Sequence, residues 1–253
     1  MGGVPGSAIR ANVVVVMPAY NAARTLAETY QRIPVSVVRE VILVDDYSED
    51  ATVDIATGLG IRVVRHPHNV GYGGNQKTCY MEALRQGADI VVMLHPDGQY
   101  EPELITDLIR PIVDGRAEMV LGSRMLVPGG ARAGGMPVWK RAANRLLTTV
   151  ENAAMGTHLS ECHTGYRAYS ATFLRRIPFL RNSNDFVFDT QVIAQAVAFG
   201  QRVVEVPARS RYFTEASSVG FGTGVRYGLA TLGVMASFLL WRLGVLRPRI
   251  LRP

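Results

Sequence analysis

A chain of 253 residues, 48% hydrophobic and 19% charged, can bury a full core. That excludes wholesale disorder and suits one large α/β domain with a short appendage. Cys79 and Cys162 are its only cysteines, too few for a disulfide framework or a four-cysteine zinc site, and they read as reduced thiols of a cytosolic protein. The formal charge is +6, and Arg226, Arg242, Arg247, Arg249 and Arg252, all beyond the last acid Glu215, supply five of it. The rest of the surface is nearly neutral, so nucleic acid is not an expected partner.

In chain order, short β-branched runs predict strands at Val13–Val16, Val41–Val44, Ile61–Val64, Asp89–Leu94 and Met119–Leu121. Helical patterns fall between them, near 21–32, 50–57, 74–86 and 101–114. Such βαβ alternation predicts a mostly parallel sheet with helices on both faces, and continuous apolar strands fit burial on both sides. Residues 123–137, rich in Gly and Pro, predict a loop. A helix over 138–155, a short strand in TGYRAYS, a helix over 188–199, a strand over 202–206 and a last helix over 223–246 complete the series. The apolar run Val13–Met17 is too brief for an export signal. The 15 uncharged residues 227–241 fall short of the ~20 that a membrane span needs.

Ligands of an open parallel sheet bind outside the carboxyl ends of its strands. The segments placed there are MPAYN, DDYS, HPHNVGYGGN, HPDGQ and GSR. A turn and a helix cap account for Ser48 or Asp50, while Asp45, ending a buried strand, suits a nucleobase or ribose contact. GYGGNQK lacks the last glycine of a dinucleotide fingerprint. Its glycines are expected to bring the backbone close to the sheet and to start the helix carrying Lys77. HPDGQ is either an ordinary Pro-Asp-Gly turn or a pair of oxygen ligands, Asp97 and Gln99, for a hard divalent ion finished by phosphates. His66 and His68 lack further ligands at zinc spacing and are loop residues.

With MPAYN, ILVDDYSED, NVGYGGNQK, MLHPDGQY, VLGSR, HTGYRAYS and VVEVPARSRY in this order, the chain resembles the inverting family-two glycosyltransferases of the GT-A fold. Within them it is most similar to the dolichyl-phosphate mannose synthases and polyprenyl-phosphate glycosyltransferases. The resemblance spans about 12–215. It implies a GT-A domain over 1–215, with a nucleotide-binding half near 11–122 and an acceptor half near 123–215, followed by a basic helical tail over 216–253. It implies that Pro18, Ala19, Tyr20, Asp45, Asp46 and Lys77 serve the nucleotide. Asp97 and Gln99 would hold Mg²⁺ or Mn²⁺ on the diphosphate, with Asp97 and Arg124 as catalytic groups. Arg145, His163 and Arg167 would serve the acceptor.

Two departures stand out. His95 replaces the first Asp of the family's Asp-x-Asp, and as a neutral metal ligand it would weaken Mg²⁺ and favour Mn²⁺. Ala22 and Ala23 stand where the family has a Glu.

Two acceptor classes follow. A polyprenyl phosphate is already ionised near neutral pH and needs no base, only cations such as the arginines at 124, 132, 141, 145 and 167. A hydroxyl needs a base, for which Asp185 or Asp189 is the candidate; otherwise these acids mark a helix N-terminus. A nucleotide-sugar binder without catalysis is the remaining alternative. The tail is either a core-packing helix or an interfacial helix that holds a cytoplasmic protein at the inner face of the membrane.

Overall fold

The computed structural model describes residues 11–211 and 221–252. The domain boundary expected at 215–216 lies outside the described residues. The nucleotide half contains β1 (Val13–Ala19), α1 (Leu26–Gln31), β2 (Glu40–Asp45), α2 (Thr52–Gly58), β3 (Arg62–Arg65), α3 (Tyr72–Arg85), β4 (Ile90–Met93), α4 (Ile105–Val113) and β5 (Met119–Ser123). There follow α5 (Gly130–Ala133), α6 (Val138–Met155), β6 (Arg167–Ser170), α7 (Ala171–Arg176), α8 (Phe188–Ala198), β7 (Val203–Pro207) and α9 (Phe221–Arg242).

The strands form one sheet of order β3-β2-β1-β4-β6-β5-β7, in which only β6 runs antiparallel to its neighbours. Arg167, the first residue of β6, pairs with Met93 at the carboxyl end of β4 and with Leu121 in the middle of β5. The chain therefore enters the sheet from the rim and runs opposite to its neighbours. The expected strand in TGYRAYS is thus present, in a direction that its four apolar and polar residues do not encode.

β1 is buried throughout, and its side chains alternate between two cores. Val14 and Val16 join Tyr80, Phe188 and Phe238 on the face covered by α3, α8 and α9. Val13, Val15 and Met17 join Leu26, Ala56 and Leu108 on the face covered by α1, α2 and α4. The glycines of GYGG serve a different approach from the expected one. A Cβ on Gly73 would lie 2.5 Å from the Ser183 carbonyl oxygen, so the glycines admit the segment before α8, while Asn75 in the same turn meets the sheet by donating to the Val44 carbonyl at 3.0 Å.

α9 lies beside α6 over most of its length. A Cβ on Gly224 would touch Trp139, one on Gly228 would touch Leu147, and Arg242 Nη1 donates to the Ala154 carbonyl at 3.0 Å. Its inner side places Met235 and Phe238 in the core. The helix ends four residues before the expected boundary at 246, where Gly244 takes a φ of 73°. The chain beyond folds back, with Leu251 buried and the Ile250 carbonyl accepting from Gln195 Nε2 at 2.9 Å. Contrary to the span reading from the uncharged run, Gly222–Arg242 is long and apolar enough to cross a membrane by length and composition.

Candidate active site

The ends of β1 and β2 are laced into one rim. Ser48 Oγ accepts from Asn21 N at 2.9 Å, Asn21 Oδ1 accepts from Glu49 N at 2.9 Å, and Thr52 Oγ1 accepts from Ala22 N at 2.8 Å. The lacing holds Asn21 and Tyr47 at positive φ, 51° and 68°, a backbone cost of order 1–3 kcal/mol that persists only where surroundings enforce it. The result is two exposed rings, Tyr20 and Tyr47, at the ends of neighbouring strands. Tyr47 was not singled out from the sequence. Its signal was present, since a bulky residue directly after two buried acids at a strand end has no core to enter. Pro18 and Ala19 are buried in β1, so only their backbone borders the rim.

Asp45 is fully buried at the end of β2, with Oδ2 accepting from Ser48 N at 3.2 Å and lying 3.6 Å from Arg65 Nε. Asp46 is a correction. Its carboxylate faces inward, accepting from Val70 N at 2.9 Å and Gly71 N at 3.1 Å and meeting His66 Nδ1 at 2.9 Å. It organises the loop before α3, and His66 is its partner there, not a metal ligand. Lys77 is corrected likewise. Its Nζ donates to the Asn182 carbonyl and, at 2.7 Å, to Asn184 Oδ1, away from the rim.

On the nucleotide role that the sequence resemblance implies for Asp45, Asp45→Asn should raise the KM for the nucleotide ligand several-fold with kcat nearly unchanged. A contact equal in ground and transition states appears in KM alone. Steady-state kinetics check it, and an unchanged KM with a collapsed kcat would move Asp45 into the chemistry.

In the turn after β4, Gly98 has a φ of 71°, and Asp97 Oδ1 accepts from Gln99 N at 3.0 Å. Thr25 Oγ1 donates to the Pro96 carbonyl at 2.5 Å, fixing the turn to the start of α1. Asp97 is half-buried and Gln99 buried. His95 is a correction. Its ring stacks on Tyr72 with centroids 5.6 Å apart, its Nε2 lies 3.5 Å from the Tyr72 hydroxyl, and a Cβ on Gly165 would lie 2.9 Å from that nitrogen. The imidazole belongs to an inward network, not to the face where Asp97 would meet an ion. Among the described residues, no three His, Cys, Asp or Glu side chains gather as a metal site.

That network continues to Asp189. Tyr72 OH donates to Oδ2 at 2.8 Å, Gln76 Nε2 to Oδ1 at 3.2 Å, and Arg167 Nη1 lies 3.4 Å from Oδ1. Burial pushes the Tyr72 hydroxyl well above its ordinary pKa, and the Asp189 charge adds to it, so the proton stays on the phenol. Arg167 is fully buried and also donates to the carbonyls of Thr164 and Cys162, at 2.7 and 3.1 Å. Burial, the largest single influence, would lower its pKa, but Asp189 together with the neighbouring tyrosine oxygens outweighs it and the guanidinium is held charged. The acceptor role expected for Arg167 is therefore corrected to an internal brace. His163 is corrected in the same way, its half-buried ring being held between Glu151 and Tyr227.

Arg124, at the end of β5, donates from Nε to Glu161 Oε1 and from its backbone N to Oε2, each at 2.8 Å, and from Nη2 to the His163 carbonyl at 2.9 Å. Asn144 Nδ2 supports Glu161 Oε1 at 2.8 Å. Burial works against the Glu161 charge, but the Arg124 guanidinium outweighs it and holds the carboxyl below the usual carboxylate range. Beside this pair the loop expected over 123–137 and the start of α6 border an open cavity of about 370 Å³ lined by Arg124, Arg132, Arg141 and Arg145 with Val127 and Val138. Glu161 balances Arg124, and among the described residues no carboxylate ion-pairs with the other three arginines. The cavity therefore suits a multiply charged anion with an apolar attachment.

The family described as Glycosyl transferase family 2 matches residues 14–177. The chain is 27% identical to a UDP-N-acetylglucosamine–dolichyl-phosphate N-acetylglucosaminyltransferase of Methanococcus voltae, over 85% of this chain and 91% of that one. It is 29% identical to an undecaprenyl-phosphate mannosyltransferase of Micrococcus luteus, over 77% of this chain and 82% of that one. Among solved structures, glucosyl-3-phosphoglycerate synthase of Mycobacterium tuberculosis with UDP superposes at a TM-score of 0.69 and 18% identity, covering 97% of this chain and 88% of that one. That likeness establishes the GT-A fold.

Proposed function

Because the chain belongs to glycosyl transferase family 2, and is thereby a glycosyltransferase, we propose that it moves a sugar from a UDP- or GDP-sugar to a polyprenyl phosphate with inversion. The nucleotide half, near 11–122, takes the donor, with Tyr20 and Tyr47 flanking the base above Asp45. The acceptor half, 123–215, takes the lipid phosphate. The residues after β4 fit a Mg²⁺ or Mn²⁺ ion held chiefly by the diphosphate, since such ions commonly bind one carboxylate and complete their shell with phosphate and water. Asp97 would hold it and Gln99 would back it. Bound there, the ion would stabilise the charge that develops on the departing nucleoside diphosphate.

The four-arginine cavity carries the reading. A phosphate monoester has a second pKa near ~6 and arrives mostly as a dianion, so it attacks without losing a proton to the protein. Arg132, Arg141 and Arg145 supply the matching charge, and Val127 and Val138 suit the first isoprene carbons. The hydroxyl-acceptor alternative loses support at Asp189, whose oxygens are taken by Tyr72, Gln76 and Arg167. Charge-assisted hydrogen bonds contribute ~1.5–3 kcal/mol each, roughly tenfold or more in affinity. Joint Arg141→Ala and Arg145→Ala substitution should therefore raise the KM for polyprenyl phosphate at least tenfold and leave donor affinity unchanged. An unchanged acceptor KM would sink the assignment.

The same reading puts the protein peripherally at the inner membrane face. Val138, Trp139 and Leu146 of α6 and Leu229, Leu232 and Leu239 of α9 are exposed on two adjoining helices, and only 17% of the apolar stretch of α9 is buried. The inner side of α9 is occupied by hydrogen bonds and core contacts, which favours lying on the surface over crossing it. Arg226, Arg242 and Arg247 are exposed on the same tail, each contributing on the order of 1 kcal/mol at an anionic surface. Removing α9 would strip Met235 and Phe238 from the core, so the test is substitution. Wild-type protein should float with anionic vesicles at low salt, and Leu229→Glu with Leu239→Glu should not. Equal flotation of both, or of neither, counts against the membrane reading.

A further inference from the structure

Glu151 on α6 is fully buried, and His163 Nε2 lies 3.0 Å from its Oε2. Removing a carboxylate from water costs several kcal/mol unless a partner offsets it, so the pair demands a reason beyond packing. The other ring nitrogen, His163 Nδ1, meets the Tyr227 hydroxyl at 2.6 Å, and Tyr227 OH lies 3.4 Å from Thr190 Oγ1 on α8. Tyr227 belongs to α9. Farther along the same inner side α9 is apolar, at Met235 and Phe238; it turns polar at Thr231, which faces Thr190 Oγ1 at 3.5 Å, and at Tyr227, which meets His163 of the segment 161–165.

That segment touches both parts of the site. At one end Glu161 holds the Arg124 guanidinium, to which the His163 carbonyl is also an acceptor, at 2.9 Å. At the other end Gly165 packs against His95, and its N–H donates to Tyr100 OH at 3.3 Å in the turn that carries Asp97. The His163 ring stands in the middle, held from two helices.

We propose that Tyr227 and His163 are positioning residues, through which the seating of α9 holds segment 161–165 and thereby sets Arg124 at the wall of the arginine cavity. The inference rests on the transferase reading for its effect on rate and on geometry alone for its effect on the segment. An α9 drawn out of place would free His163 and loosen the cavity wall, whereas an α9 pressed onto its seat would hold it ready for an acceptor.

Tyr227→Phe removes one oxygen and keeps the ring that meets His163 edge-on at 5.4 Å. In the full chain, amide hydrogen exchange over 161–165 should quicken about tenfold with that over β1 and β2 unchanged, since the opening is local. With UDP-glucose, UDP-N-acetylglucosamine and GDP-mannose tried as donors, kcat for transfer to polyprenyl phosphate should fall about tenfold and donor affinity should hold. Unchanged exchange over 161–165 overturns the proposal, and so does faster exchange with an unchanged kcat. Should the wild type transfer sugar from none of these donors, the functional reading fails separately, and the exchange result alone decides the coupling.

Discussion

Asp97→Ala is expected to lower kcat/KM by about 10³-fold with the fold intact. A metal ion on a departing diphosphate supplies several kcal/mol of transition-state stabilisation, and each 1.36 kcal/mol is a factor of ten in rate. Asp97 is the carboxylate of its turn, since His95 faces Tyr72 and Gln99 brings no charge. Its side chain is half-buried and bonded to Gln99 N, so truncation should leave the core untouched. Initial rates under Mn²⁺ titration check this. Near-normal activity at saturating Mn²⁺ would overturn the metal-holding role proposed for Asp97.

Glu161→Gln should give the largest loss of stability. Glu161 is fully buried, and its oxygens hold Arg124 and Asn144. Removing one partner of a buried ion pair costs ~3–5 kcal/mol because the other charge is left unmatched. For a chain of this size that corresponds to a fall in Tm of roughly 6–20 °C. The pH dependence has a definite sign. The folded-state pKa of Glu161 lies below its ordinary 4.5. The wild type therefore gains this stability above about that pH and loses it as the pH drops through the lower, folded value. Urea unfolding between about pH 3 and 7 should show a steeper acid decline for the wild type than for the variant. Parallel curves would mean that the pair contributes nothing to folding.

Much of the architecture was legible because strand and helix signals here are strong and local. The β-branched runs at Val13–Val16 and Met119–Leu121 lie inside β1 and β5, and the helix expected over 138–155 is α6. The direction of β6 was not legible, since it depends on where the preceding loop delivers the chain. At the site, Asp97, Tyr20 and Arg145 stand where they can meet a ligand, because their segments follow strands directly or line the cavity. Arg167, His163, Lys77 and Asp46 share the same residue types and lie in the same motifs, yet they point inward. Their partners, Asp189, Glu151, Asn182 and the loop amides of Val70 and Gly71, lie 22, 12, 105 and 24–25 residues away in sequence. Sequence marks a charge; burial and a distant hydrogen-bonding or charged partner decide whether it serves ligand or fold.

The most direct measurement follows sugar from donor to lipid. Purified protein, Mn²⁺, vesicles carrying a polyprenyl phosphate and each of UDP-glucose, UDP-N-acetylglucosamine and GDP-mannose are incubated together, and the lipid fraction is examined for sugar and for anomeric configuration. The expected product is a polyprenyl phosphate sugar of configuration opposite to that of its donor, absent when polyprenol replaces the phosphate. Transfer to the polyprenol hydroxyl with none to the phosphate, or a product that retains the donor's configuration, would contradict the assignment.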